Sequence, residues 1–280
     1  MPEYIIRDHS PSDAAALKTL WKACFEDDDA SIDSFFALFS SPGACLTAEA
    51  EGQIVSAMHI LPVQSLYVDR RCILSAGYTY ALATLPAYRG RGIGTAVYKA
   101  CCERVLETAD AACVLPAEPG LYPFYEKTSG AKPLTFARKA RFTRAELMEY
   151  PAANAARIPG YQYPGFRESI LGGLPHAVLP EAYYDYLEAC GMEFFILENG
   201  AAAVETDGGV CRIRELLDTG RDPMASIAGI RRWCAAEEYT VASPAFFRGP
   251  GEIVPHVLGT LRDGIKANLP DDLWWGLGLE

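Results

Sequence analysis

No apolar run in the 280-residue sequence reaches the roughly 18 residues that a membrane-spanning helix needs, so no membrane partner is expected. The opening residues MPEYIIRDHS lack a basic patch followed by an apolar stretch, and they do not read as a secretion signal. None of the nine cysteines forms a C-x-x-C pair, and their number is odd. Cys101 and Cys102 are neighbours and would face different directions on a helix. Neither a disulfide framework nor a metal site is expected. Buried free thiols in a reducing cytoplasm are the plainer reading. Positive charge is also in short supply. The formal net charge of −11 would repel nucleic acid and argues against a DNA or RNA partner. Acidity of this kind serves solubility first. The run Glu26-Asp27-Asp28-Asp29 is read as ending one helix and capping the next.

Half of the residues are apolar, enough for a sizeable core in one large domain or two small ones. Residues 3–7 read as a strand. Ser10-Pro11-Ser12-Asp13 starts a helix over 14–25, and a second helix over 31–39 carries Ile32, Phe35, Phe36 and Phe39 at helical spacing. Strands follow at 45–49, 54–67 and 72–84, then a helix over 93–107, a buried strand at 112–115, a helix over 121–128 and a strand over 132–142. The layout is mixed α/β (α+β), with a mixed central sheet flanked by helices. Residues 143–165, rich in Ala, Pro, Gly and Tyr, read as a linker between modules at 1–142 and 166–280. The second half predicts a helix over 179–190 and strands at 193–198, 201–205 and 210–216, with turns at Asn199-Gly200 and Asp207-Gly208-Gly209. A helix from Asp222-Pro223 to about Ala236, a strand at 239–242 and a last strand near 273–279 complete it. This order repeats that of 45–115 and suggests a duplicated module.

The chemistry is carried by Arg89-Gly90-Arg91-Gly92-Ile93-Gly94-Thr95, between a β-rich segment and an amphipathic helix. The first turn of a helix presents N–H groups without internal partners, and the macrodipole adds positive potential there. Glycines let an anion approach, and Arg89 and Arg91 can add full charges, so the turn suits a phosphate. No lysine follows Gly94, which excludes a P-loop. Thr95 stands where a dinucleotide loop needs Gly or Ala.

The pattern that remains is R-x-x-G-x-G, filled by Arg89, Gly92 and Gly94. Here the sequence resembles the GNAT superfamily of N-acetyltransferases, whose CoA pyrophosphate loop the string L-P-A-Y-R-G-R-G-I-G-T is similar to. Leu121-Tyr-Pro-Phe-Tyr125-Glu-Lys-Thr-Ser-Gly130-Ala resembles that family's F-Y-E-K-x-G-F helix and turn, with one extra residue before the glycine and Ala131 in place of Phe. The resemblance implies acetyl-CoA as co-substrate and no metal. The CoA would be held by Leu82, Ala83, Thr84, Arg89, Gly90, Arg91, Gly92, Ile93, Gly94 and Thr95. It also implies a pantetheine arm between the splayed strands at 78–84 and 112–115, with an N–H near Leu82 facing the thioester. Tyr125 would protonate the departing thiolate, with Tyr122, one turn earlier, as its competitor. The acceptor would be an amine, on a small molecule or a protein, attacking directly. No G-x-S-x-G elbow or Cys-His nucleophile pair is present.

The base that frees the amine stays open between Glu118, His59, the C-terminal Glu280 and water. The chain end W-W-G-L-G-L-E resembles the final strand of larger two-module GNATs, including the enhanced intracellular survival family, in which the terminal carboxylate reaches the active site. The second half lacks the phosphate loop, having Asp218-Thr-Gly220-Arg221-Asp-Pro-Met instead, and is not expected to bind CoA. It would wall the amine pocket or mediate a homodimer. The competing reading is a non-catalytic acyl-CoA-binding regulatory protein.

Overall fold

The computed structural model describes residues 4–265 and 269–279. The chain runs β1 (Tyr4–Asp8), α1 (Ala14–Cys24), α2 (Asp29–Phe39), β2 (Cys45–Ala50), β3 (Gln53–Val68), β4 (Arg71–Thr84), α3 (Ile93–Thr108), β5 (Ala111–Val114) and α4 (Tyr122–Ser129). It continues through β6 (Lys132–Pro133), β7 (Phe136–Thr143), α5 (Arg144–Met148), β8 (Ala155–Ile158), α6 (Tyr163–Leu171), β9 (His176–Val178) and α7 (Glu181–Ala189). It closes with β10 (Glu193–Leu197), β11 (Gly200–Asp207), β12 (Val210–Asp218), α8 (Met224–Ile230), β13 (Glu238–Pro244), β14 (Glu252–Pro255) and β15 (Leu258–Leu261). Among the described residues no helix is long and apolar enough to cross a membrane.

Local chemistry sets the element ends. Asp13 accepts from the Ser10 N–H at 2.7 Å and starts α1. Asp28 accepts from the Ser31 N–H at 2.7 Å and caps α2, the capping role expected of the acidic run. Helix α2 buries Ile32, Phe35 and Phe39, and α3 buries Ile93, Val97, Cys101 and Val105 on one face. The helix expected to reach Ala236 stops at Ile230. The Tyr239 hydroxyl donates to the Cys234 carbonyl and accepts from the Ala236 N–H, so side-chain bonds replace helical ones there.

The strands form two mixed sheets. The first has the order β1-β2-β3-β4-β5-β15-β6, with β9 also paired to β3; the second is β14-β7-β13-β12-β11-β10-β8. In each, one pair is parallel: β4 with β5 and β12 with β13. The two sheets exchange strands. The strand expected over 132–142 is two strands in two sheets, β6 in the first and β7 in the second. Pro133 has no N–H to extend the ladder, and the next two amides, of Leu134 and Thr135, both turn to the Val257 carbonyl. In return β15 lies beside β5, pairing Leu258 with Val114 and Leu261 with Ala111. Residues 143–165 carry α5 and β8, which edges the second sheet beside β10.

The segment 273–279 was expected as a strand. It makes only one isolated bridge, His176 with Trp274. Its carbonyls are taken by side chains instead: Trp275 by Arg167, Gly278 by Arg214, Leu279 by Tyr78, and Gly276 by the His256 ring. A fully buried network anchors this tail. Arg167 donates to Glu215 at 3.1 Å, Trp274 Nε1 donates to Glu215 at 2.6 Å, and the Tyr163 hydroxyl donates to it at 2.9 Å. Gly276 runs against this pair at φ +89, and a Cβ there would fall 2.5 Å from both Arg167 Nη2 and Glu215 Oε1.

Candidate active site

Strands β4 and β5 pair only from Ala76–Tyr78 to Ala111–Cys113. One side-chain bond, Thr79 Oγ1 to the Cys113 carbonyl at 3.0 Å, spans the next step. Beyond it the strands part, as the resemblance implied. On the other side of β4 the register to β3 slips between the Ala57–Ala83 and His59–Tyr80 pairs. Ala81 takes φ +53 at that slip. A left-handed alanine costs about 1–2 kcal/mol, so packing must hold the bulge in place. The bulge residues Ala81 and Leu82 line a cavity of about 120 Å³ together with Trp21, Asp27, Tyr80 and Tyr125.

Leu82 and Tyr125 also line a second, adjoining cavity of about 630 Å³ at the start of α3. Gly90 and Gly92 adopt φ +74 and +80, and α3 has no side-chain cap. The first helical bond runs from the Ala96 N–H to the Gly92 carbonyl, so the amides of Ile93, Gly94 and Thr95 have no partner within the helix. Thr84, Arg89, Gly90, Gly92, Ile93, Gly94 and Thr95 all line this groove. The Arg89 Nε is tied to the Thr84 carbonyl at 2.9 Å. Arg91 instead lies over the Tyr88 ring, 5.0 Å from its centroid, and does not line the groove. The Ala83 side chain turns into the packing of Leu17, Leu20 and Ile54, and its carbonyl accepts from the Ser56 hydroxyl at 2.6 Å.

Tyr125 stands where the two cavities meet and is 7% exposed. Contacts with Tyr98 and Phe124, at 5.0 and 5.1 Å between centroids, fix its ring. Burial pushes its hydroxyl up to about 12, so it carries its proton through the neutral range. Among the described residues nothing hydrogen-bonds to that hydroxyl. Tyr122 faces elsewhere: its hydroxyl donates to the Pro255 carbonyl at 2.9 Å, and it lines a third cavity.

Comparison with known proteins agrees with this geometry. The family model described as an acetyltransferase (GNAT) domain matches residues 5–128. Residues 5–128 are a GNAT acetyltransferase domain. The match makes this domain an acyltransferase domain of the GNAT type. No curated protein matches the sequence. Solved structures with the same fold include a probable N-acyltransferase from Enterococcus faecalis V583, at 13% identity and TM-score 0.71, covering 94% of this chain and 73% of that one. A GCN5-related N-acetyltransferase from Kribbella flavida shares 15% identity at TM-score 0.66, over 93% of this chain and 71% of that one. Eis1 from Mycobacterium abscessus shares 12% identity at TM-score 0.61, over 93% and 74%. These likenesses span both sheets, so the fold is that of a two-module GNAT protein.

The candidate bases of the GNAT domain fall in different places. His59 is buried among Trp21, Phe35 and Phe36, with centroids 5.5, 4.9 and 5.6 Å away. Desolvation pulls its pKa down to about 3, and it lines neither cavity of the domain. Glu118 is exposed and lines neither cavity. Glu280 lies outside the described residues, although Leu279 before it lines the smaller cavity.

The sequence reading missed Asp27. Among the described residues it is the one carboxylate lining either cavity of the GNAT domain. The Trp21 indole N–H donates to its Oδ2 at 2.7 Å, and no ion pair neutralises it among the described residues. The signal lay in its position. Asp28 is the cap, so the acid before it is left to face the site from the loop between α1 and α2.

The second sheet parts its parallel strands too, beyond Ile213–Val241. There the Arg138 guanidinium donates to the Ala245 and Phe247 carbonyls at 3.3 Å, tying the 245–251 loop over the gap. Asp222 and Pro223 precede α8 where the GNAT domain has its glycines. Among the described residues no group of His, Cys, Asp or Glu is placed to hold a metal ion.

Proposed function

We propose that the protein transfers the acetyl group of acetyl-CoA to a primary amine, with Asp27 receiving the amine. The observation that carries this reading is the row of unpartnered amides at Ile93–Thr95 facing a groove that leads to Tyr125. The diphosphate would accept from these amides beside Arg89. The pantetheine arm would fill the gap between β4 and β5. The Leu82 N–H would face the thioester oxygen and stabilise the charge that develops there on attack. The amine nitrogen bonds to the carbonyl carbon, the C–S bond breaks, and the sulfur takes the Tyr125 proton.

The smaller cavity, about 120 Å³, admits the end of a slender amine and little more. Asp27 carries negative charge at its wall, flanked by the Trp21 and Tyr80 rings, which suits an alkylammonium group. The carboxylate then takes the proton that must leave before attack. The second sheet, with its parted strands covered by the 245–251 loop, would bind no CoA. Its part would be to carry the tail that brings Leu279 to the cavity.

Three measurements test this. CoASH release against a panel of amines should exceed the rate without amine. Uptake of CoA with no release for any amine would leave only a binding role. Gly92→Val should weaken CoA binding in calorimetry at least tenfold. The space in front of Gly92 is open toward the groove, and a β-branched residue at φ +80 is strained besides. CoA affinity equal to wild type in a folded variant would remove the cofactor assignment. Asp27→Asn should raise KM for the amine about tenfold, the worth of one charge-assisted contact, while CoA affinity stays put. An unchanged KM would move the amine elsewhere.

A further inference from the structure

The third cavity, about 960 Å³, shares no lining residue with the two in the GNAT domain. Its size is that of a metabolite site. Its floor is the open face of β7, β13 and β12. Register places Arg141 beside Thr240, and Thr240 beside Arg212, in one row across three strands. Two residues along each outer strand stand Lys139 and Arg214. The central strand contributes only Thr240 and Ala242 to this face, so the floor between the cations is low. Arg141 and Arg212 are two strand spacings apart, about 10 Å.

Four cations and one carboxylate, Glu252, line this cavity in a chain of net charge −11. The arginines do have acidic partners. Glu238 pairs with Arg141, and Glu205 with Arg212 and Arg214, while Asp207 also reaches Arg212. None of these acids lines the cavity, and Arg141 and Arg212, each held by one or two acids, keep donors for a ligand. Lys139 is exposed and has no ion pair among the described residues.

His256 adds a second kind of group. It is 4% exposed, lies parallel to the Trp274 ring at 5.4 Å, and lines the cavity. Its Nε2–H donates a hydrogen bond to the Gly276 carbonyl at 3.1 Å. That leaves Nδ1 as a lone-pair acceptor, buried with no partner. Burial draws its pKa down to about 4, so the ring stays neutral and keeps that lone pair. A hydroxyl would satisfy it.

We infer that this cavity binds a hydroxylated polyanion, of the sugar-phosphate or hydroxy-polycarboxylate class, as a site separate from the acetyl-CoA groove. The arginine row and Lys139 hold its charged groups, and His256 accepts from its hydroxyl. The tail residues Gly276 and Gly278 form one wall.

The test uses the full chain saturated with CoA, so that the amides at Ile93–Thr95 are already occupied. Calorimetric titration with glucose 6-phosphate and with citrate should show at least one binding with Kd below about 1 mM. Which of the two binds identifies the source of the negative charge. Inorganic phosphate, which has no such hydroxyl, should bind at least tenfold more weakly. Lys139→Glu and the double variant Lys139→Ala/Arg212→Ala should each weaken the binding at least tenfold, with melting temperature and CoA affinity as in wild type. Loss of CoA binding would count against the acetyltransferase reading and leave this one standing. The inference is overturned if neither organic anion binds, if inorganic phosphate binds equally well, or if the folded variants bind like wild type.

Discussion

Alanine at Glu215 should destabilise the protein by about 3–5 kcal/mol, read as a shifted urea midpoint with little change in slope. Glu215 and Arg167 are both fully shielded from water, and the carboxylate also accepts from Trp274 and Tyr163. Removing it leaves the buried guanidinium with only Glu168, 3.4 Å away, as counter-charge and strands two donors in a medium that solvates neither. The penalty comes from the group left behind more than from the bond lost. A double replacement, Arg167→Met with Glu215→Leu, should therefore be milder than the single change. A single-variant loss under about 1 kcal/mol would mean that water reaches the site. Because Arg167 also holds the Trp275 carbonyl, the variant should loosen the tail, seen as faster amide exchange over 273–279.

Phenylalanine at Tyr125 should lower kcat about 100-fold while CoA affinity stays near wild type, as expected when only the leaving-group proton is lost. The ring would keep its contacts with Tyr98 and Phe124, so packing changes little. The raised pKa sets the sign of the pH dependence. The tyrosine holds its proton at every pH below about 12, so its contribution should persist across the neutral range and be lost only above that value. Steady-state rates and calorimetry on the same preparation check both halves. Unaltered turnover would pass the proton donor's role to water, since Tyr122 is turned toward the Pro255 carbonyl.

Much of the GNAT domain was legible because its signals are local. A capping acid, a helical stripe of Phe and Ile, and a glycine pair before an apolar helix each act within one turn of chain. The turn at Arg89–Thr95 followed from such signals, and the parting of β4 and β5 was expected only through the resemblance which that turn carries. The exchange of β7 and β15 between sheets was not legible. It depends on Pro133 ending one ladder and on Val257 accepting from both Leu134 and Thr135, more than 120 residues away. The tail misled for a related reason. Its alternation of Trp, Leu and Gly has the period of a strand, yet its carbonyls bind side chains from distant elements. Asp27 was hidden because the role of an acid in a run of acids depends on where its neighbour, Asp28, is spent.

The strand exchange makes the two halves interdependent. A fragment ending near residue 142 would expose the free side of β5, where β15 now lies, and would carry off β7 as an unpaired ribbon. Its complement would be left with β13 bare along the side that β7 covers. Each piece would thus display backbone donors and acceptors that match those of the other, an invitation to reassemble or to aggregate. Loops on either half of such a molecule can be altered, but one half cannot be shed with the other's sheet left intact.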